Sequence, residues 1–221
     1  MSEPALLNHS PYTAQLLPIL DVDGWTARVA IVKAGFALGS GVAPLPAPSQ
    51  PLLRLGDEPW GDARIADIRR PGDLCIAKPG TDVVVCGHAM PAAGAASAVD
   101  VGLRVAERAK WLRVHGARQW RRGLRGVVPG AAAPLHEPVP LAWSRAYGGS
   151  DFEQPDAPLE EPRNPVGSGI ARRPQTLIDR AAPQIEAPGA PILAAASAID
   201  PVGVAALGRH FEPRRALAGT Y

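Results

Sequence analysis

The chain has 221 residues, with 23 Lys plus Arg against 21 Asp plus Glu and a formal net charge of +2. So small an imbalance excludes a protein that grips nucleic acid or anionic lipid by bulk electrostatics; any such binding would need a local patch. Apolar residues make up 46% and charged residues 20%, which permits a sizeable core and argues against wholesale disorder, while 25 Pro and 23 Gly disfavour long helices.

In chain order, Met1 to Ser10 contains Glu3 and lacks the basic segment and apolar run of a secretory signal. No stretch approaches the roughly 18 apolar residues of a membrane-spanning helix. A cytoplasmic protein is the expectation, with Cys75 and Cys86 reduced. Trp25 to Leu38 is a nearly continuous apolar run, β-branched at its centre, and reads as a central strand covered on both faces. From Val42 to Pro59, recurring prolines remove ladder donors and predict an extended surface loop. Asp73 to His88 places two apolar runs around Lys78-Pro79-Gly80-Thr81, a Pro-Gly pair suited to a type II turn, and reads as a hairpin. Such a hairpin would set Cys75 and Cys86 roughly opposite, within reach of a disulfide or half a metal site, although buried packing is the plainer reading of both.

Val99 to Val105 alternates strictly, with Asp100, Gly102 and Arg104 on the wet side, and Lys110 to Gly116 alternates in the same way, so the two predict a second hairpin. Val139, Leu141, Trp143, Arg145 and Tyr147 continue the period of two in one more strand, ended by Gly148-Gly149. From residue 150 to 202 prolines interrupt every candidate element, and an irregular excursion is expected. The fold class is therefore mainly β: one domain over residues 1–221 with an antiparallel, sandwich-like core, long Pro/Gly-rich loops and little helix.

Chemistry-bearing patterns are scarce. There is no Gly-x-Ser-x-Gly elbow, no Walker phosphate loop and no His-Glu-x-x-His helix. Gly167-Ser168-Gly169 lacks the third glycine of a dinucleotide loop, and no two of His9, His88, His115, His136 and His210 lie at the short spacing that puts two imidazoles on one metal. No enzymatic activity, metal or cofactor is expected. Arg113, Arg118, Arg121, Arg122 and Arg125 gather around Trp111, Trp120 and His115, and basic groups interleaved with aromatics can track phosphates and stack bases. A solvated loop after a strand explains the same residues, so a nucleic-acid-binding module stands as an alternative only. A second alternative is an enzyme using His88 near Cys86 and Asp82. Trp143, Arg145 and Tyr147 predict an arginine flanked by rings, and Gly148-Gly149-Ser150-Asp151 and Asn164-Pro165-Val166-Gly167 are turns able to present backbone donors.

The ordered set NHSPY (Asn8 to Tyr12), KPGTDVVVCGHA (Lys78 to Ala89), LRVHGARQW (Leu112 to Trp120), LAWSRAYGGSD, NPVGSG and LGRHFEPRRALAGTY resembles a type VI secretion accessory family catalogued as domain of unknown function 2169. The resemblance runs from Asn8 to Tyr221. It implies a non-enzymatic chaperone or adaptor that binds a toxic effector and helps load it onto the spike, through the spike-shaft protein or the spike-tip protein. The motif residues it marks as partner-binding candidates are Lys78, Pro79, Gly80, Thr81, Asp82, Gly87, His88, Arg113, Trp120, Arg145, Tyr147, Gly148, Gly149, Asp151, Asn164, Pro165 and Gly167. His115 and Ala117 depart from the family pattern, which tends to an aromatic and an acidic residue there. The chain also stops at Gly219-Thr220-Tyr221 where relatives continue, so a truncated or a short member is expected.

Overall fold

The computed structural model describes residues 6–20, 23–39, 43–61, 67–75, 80–92, 94, 96–124, 126–195, 199–208 and 211–217. The chain is mainly strand, assembled into several small sheets with one short helix among the described residues and no barrel. The expected mainly β fold with little helix is present as small, mostly antiparallel sheets, in which most strands are only two or three residues long. Two compact units result: the first comprises Met1–Glu58, Pro71–Gly80 and Leu217–Tyr221, the second Pro59–Arg70 and Thr81–Ala216.

The first unit is built on β1 (Thr13–Leu20) and β2 (Thr26–Lys33), paired antiparallel from Thr13–Lys33 to Leu20–Thr26. Opposed residues share a face, so Leu17, Ile19, Val29 and Ile31 lie on one side and Leu16, Pro18, Leu20, Ala30 and Val32 on the other. Apolar residues stand on both faces, with Gln15 and Lys33 on the first and Arg28 on the second, but the strand is not central and the hairpin is covered on one side only: the face of Leu17, Ile19, Val29 and Ile31 is half-buried, while on the other Leu20 is 70% and Val32 64% exposed. β3 (Phe36–Ala37) pairs with β4 (Leu45–Pro46), so the proline-rich stretch does supply a short strand. Polar clamps hold this unit. Lys33 Nζ meets Asp73 Oδ2 at 2.6 Å, the same oxygen accepts the Arg54 N–H at 2.7 Å, and Gln50 bonds the backbone of Gly35 and Ala47.

Next come β5 (Glu58–Pro59), β6 (Ile68–Arg70) and β7 (His88–Ala89). Among the described residues the hairpin expected over Asp73 to His88 is not seen: Gly80 is a bend, Thr81 to Gly87 is irregular, and residues 73–75 and 81–88 belong to different units. Its turn residues Lys78 and Pro79 lie outside the described residues. Cys75 and Cys86 are both exposed and are not core packing.

In the second unit β8 (Ala98–Val105) and β9 (Arg108–His115) form the expected antiparallel hairpin, in register from Ala98–His115 to Val105–Arg108. β10 (Trp120–Gly123) pairs with β11 (Gly126–Pro129), and β12 (Val139–Pro140) with β7. The predicted strand from Val139 to Tyr147 breaks here, because Trp143–Arg145 forms a 3-10 turn. β13 (Tyr147–Gly148) then pairs in parallel with β16 (Ser168–Gly169), after β14 (Ser150–Asp151) has met β15 (Leu159–Glu160). β17 (Ile185–Glu186) adds to β9 as the third strand of the central sheet. The unit ends in α1 (Glu212–Leu217).

Two apolar clusters fill this unit. One gathers Leu112, Val114, Leu141, Trp143, Ile185 and Phe211; the other Trp120, Val127, Tyr147, Leu177 and Ile192. Trp143 donates Nε1–H to the Ala205 carbonyl at 2.9 Å and meets Phe211 edge to face at 6.4 Å, which seats the carboxy-terminal motif in the core. Ile185, Leu177, Ala182 and Ile192 are all buried, so the proline-rich residues 150–202 form much of the core and are no loose excursion.

Candidate functional site

The sequence candidates divide between motifs that build the second unit and positions left open. Tyr147, Gly148, Gly149, Asn164, Pro165 and Gly167 do come together. Asn164 is fully buried, its Nδ2 donating to the carbonyls of Trp143 at 2.9 Å and Tyr147 at 2.8 Å, while its own carbonyl accepts Gly149 N–H at 2.8 Å. Gly148 has φ +145°, and a Cβ there would stand 2.3 Å from the Asn164 carbonyl oxygen; glycine is required by both torsion and space. The AYGGSD and NPVGSG motifs are thus two halves of one buried knot, and their donors are used internally.

Trp120 is also fully buried. The arginine and tryptophan patch is therefore not one surface. Arg113 is held bidentately by Asp100 at 2.8 and 2.9 Å, Arg121 is paired with Asp179, and Arg125 lies outside the described residues. Trp143, Arg145 and Tyr147 do not share a strand face, since the 3-10 turn sends the two rings into different clusters. Arg145 instead bonds Gln184, Nη1 to Oε1 at 2.9 Å. Asp151 accepts the N–H groups of Arg172 and Glu153, each at 2.8 Å, which lowers its carboxyl pKa.

A polar centre that the sequence did not flag sits at the end of the central sheet. Glu186, 5% exposed, receives His115 Nε2 at 2.8 Å, Arg118 Nη2 at 2.9 Å and the Ile192 N–H at 3.1 Å. Burial alone would raise the carboxyl, but the bonds from His115, Arg118 and Ile192 outweigh it and hold the pKa near about 2. With every partner internal, this cluster fastens β17 to β9.

What remains open is of two kinds. In the second unit a shallow groove is walled by Trp60, Ile68, Val85, Leu141, Cys86 and His88, with the Arg69 guanidinium 4.9 Å over the Trp60 ring. Gly87 lines it too, its carbonyl accepting Leu141 N–H at 3.0 Å; Thr81 and Asp82 are exposed and do not line it. Among the described residues no group of three or more His, Cys, Asp or Glu is placed to hold a metal ion, and no helix is long and apolar enough to cross a membrane.

The larger open feature is the first unit, where no described residue is buried. Trp25, Leu20, Val32, Leu38, Leu45 and Leu52 are each more than 60% exposed. Isolated apolar side chains on a surface need no explanation, but Leu20 and Val32 exposed together on one face of a hairpin, with Trp25 exposed at its turn, do. Such a surface can bury a partner's apolar side chains.

No curated protein and no solved structure matches the chain. A family described as an uncharacterized protein conserved in bacteria, DUF2169, matches residues 23–221. With all but the first residues covered, including the buried Gly-Gly and Asn164 knot and the Phe211 motif, the chain belongs to the DUF2169 family.

Proposed function

We propose that the chain is a non-enzymatic adaptor that holds another protein and, more narrowly, that it binds a type VI secretion effector and helps load it onto the spike through the shaft or tip protein. The observation that carries the adaptor reading is the exposed apolar surface of the first unit: the hairpin face bearing Leu20 and Val32, with Trp25, Leu38 and Leu45 also exposed. An apolar patch of this kind is the usual mark of a protein-interaction site. The narrower reading rests on the motif resemblance, and it has the adaptor meeting its effector in the bacterial cytoplasm before export. The groove beside His88 and Cys86 is a lesser candidate, a cleft of about 220 Å³ walled by Trp60, Ile68 and Leu141.

The test is affinity capture of the tagged chain from its native bacterium under secretion-active conditions, with mass spectrometry of what is retained. Wild type is expected to retain a toxin-like effector with a spike component, and Leu20→Ser/Val32→Ser to lose both while melting as wild type does. Folded wild-type protein that retains neither contradicts the proposal.

A further inference from the structure

The central sheet runs β17–β9–β8, so β8 forms one of its margins. Among the described residues no strand pairs with its outer side. Natural sheets usually blunt such an edge with proline, lysine, a bulge or a very short strand. β8 carries two charges of opposite sign, Asp100 and Arg104, but no proline, lysine or bulge: it is eight residues long, AVDVGLRV, and its one-to-one register with β9 is unbroken from Ala98 to Val105.

The turn decides which backbone groups face outward. Ala106 and Glu107 alone join the two strands, and Ala106 has φ +50°, as tight hairpin turns require. A two-residue turn closes on a hydrogen-bonded pair, here Val105 and Arg108, so Val99, Val101, Leu103 and Val105 direct their N–H and C=O groups to β9. Asp100, Gly102 and Arg104 then turn theirs to the open side. The Trp111 ring agrees with this parity. It lies 2.6 Å from where a Gly102 Cβ would stand, the close side-chain approach of a non-hydrogen-bonded pair.

We propose that this edge pairs with the same edge of a second copy of the chain. A two-fold axis at Gly102 sets Asp100 opposite the partner's Arg104 and Arg104 opposite the partner's Asp100, all on the wet face. On the apolar face Val99 meets the partner's Val105, and Val101 the partner's Leu103, covering a Val105 that is 46% exposed in the single chain. No neighbouring register does this. An axis at Asp100 or at Arg104 opposes like charges, and one at Val101 or Leu103 leaves each charge without its opposite.

The existing bonds are compatible. Asp100 is held by Arg113 from β9, and a carboxylate has lone pairs left for a second guanidinium arriving from the other side. Arg104 uses only Nε, on the Ala106 carbonyl at 3.2 Å, leaving its terminal nitrogens to reach across. About six backbone hydrogen bonds would span the junction. An edge of about 27 Å buries less than the roughly 800 Å² per partner of a standard interface, so the dimer is reversible and concentration-dependent.

Sedimentation velocity over roughly 1 to 200 µM tests it. Wild type is expected to pass from monomer to dimer across this range, and the transition should weaken with added salt. Arg104→Asp, which opposes two carboxylates, and Arg104→Pro, which deletes an outward N–H, are expected to stay monomeric while melting like wild type. Mixing Arg104→Asp with Asp100→Lys is expected to restore a dimer, because an acidic edge then meets a basic one. A wild-type chain that remains monomeric throughout, or a dimer that neither Arg104 variant reduces, overturns the proposal.

Discussion

Two hairpins in this chain have the same dimensions and opposite fates. β1–β2 and β8–β9 each pair eight residues with eight. In β8–β9 one face is polar, and the other places Leu112 and Val114 at 0% exposure under Trp143, Ile185 and Phe211. In β1–β2 apolar residues stand on both faces, one face is half-buried and the other exposed, and no residue is fully buried. A two-stranded sheet is marginal in water unless something packs on it, so the first hairpin has the composition of a buried element with one face left exposed. Apolar patterning specifies which faces want covering; it does not specify that the same chain supplies the cover.

That contrast makes quantitative predictions. Trp120→Ala removes the largest fully buried side chain of the second unit and is expected to cost about 3–5 kcal/mol in urea unfolding. A loss under about 1 kcal/mol would mean the second unit is not the rigid partner in the comparison. Lowering the pH probes the same unit through Glu186. Its folded pKa of about 2 lies below its ordinary 4.5, so the stabilisation is fully present above about pH 4.5 and is lost as pH falls through about 2. The shift corresponds to about 3 kcal/mol, and Glu186→Gln should flatten the acid limb of a stability-versus-pH curve. Gly148→Ala, forced against the Asn164 carbonyl at a left-handed torsion, should cost about 1–3 kcal/mol in the same denaturation assay. Smallest of all, Trp25→Ala in the first unit, at 74% exposure, should change stability by less than about 0.5 kcal/mol yet weaken capture of the partner.

The elements that sequence reading recovers are those whose cover is local. The Val99 to His115 hairpin was legible because its period of two coincides with one wet and one dry face. The same period misleads from Val139 to Tyr147: Val139, Leu141 and Trp143 are buried alternately, but the 3-10 turn at Trp143–Arg145 breaks the alternation, leaving Arg145 exposed and burying Ala146 and Tyr147 in different clusters. Between Asp73 and His88 the Pro-Gly turn signal is sound chemistry, yet the chain there passes from one unit to the other, a fact that no local pattern encodes. Trp120 looked like a surface ring because arginines surround it in sequence; in space its neighbours are Tyr147 and Leu177. Glu186 gave no signal at all, since His115 and Arg118 lie 71 and 68 residues away. The Gly-Gly and Asn-Pro motifs read in sequence as two separate turns; that they meet, with Gly148 against the Asn164 carbonyl, depends on a contact 16 residues apart that no local pattern encodes.

Hydrogen–deuterium exchange, read amide by amide on the free chain and on the chain captured with its partner, tests the central claim most directly. In the free chain the amides of β1 and β2 should exchange orders of magnitude faster than those of β9, and partner binding should slow β1 and β2 while leaving β9 unchanged. Protection of β1 and β2 equal to that of β9 in the free chain, or protection that the partner does not alter, would contradict the account.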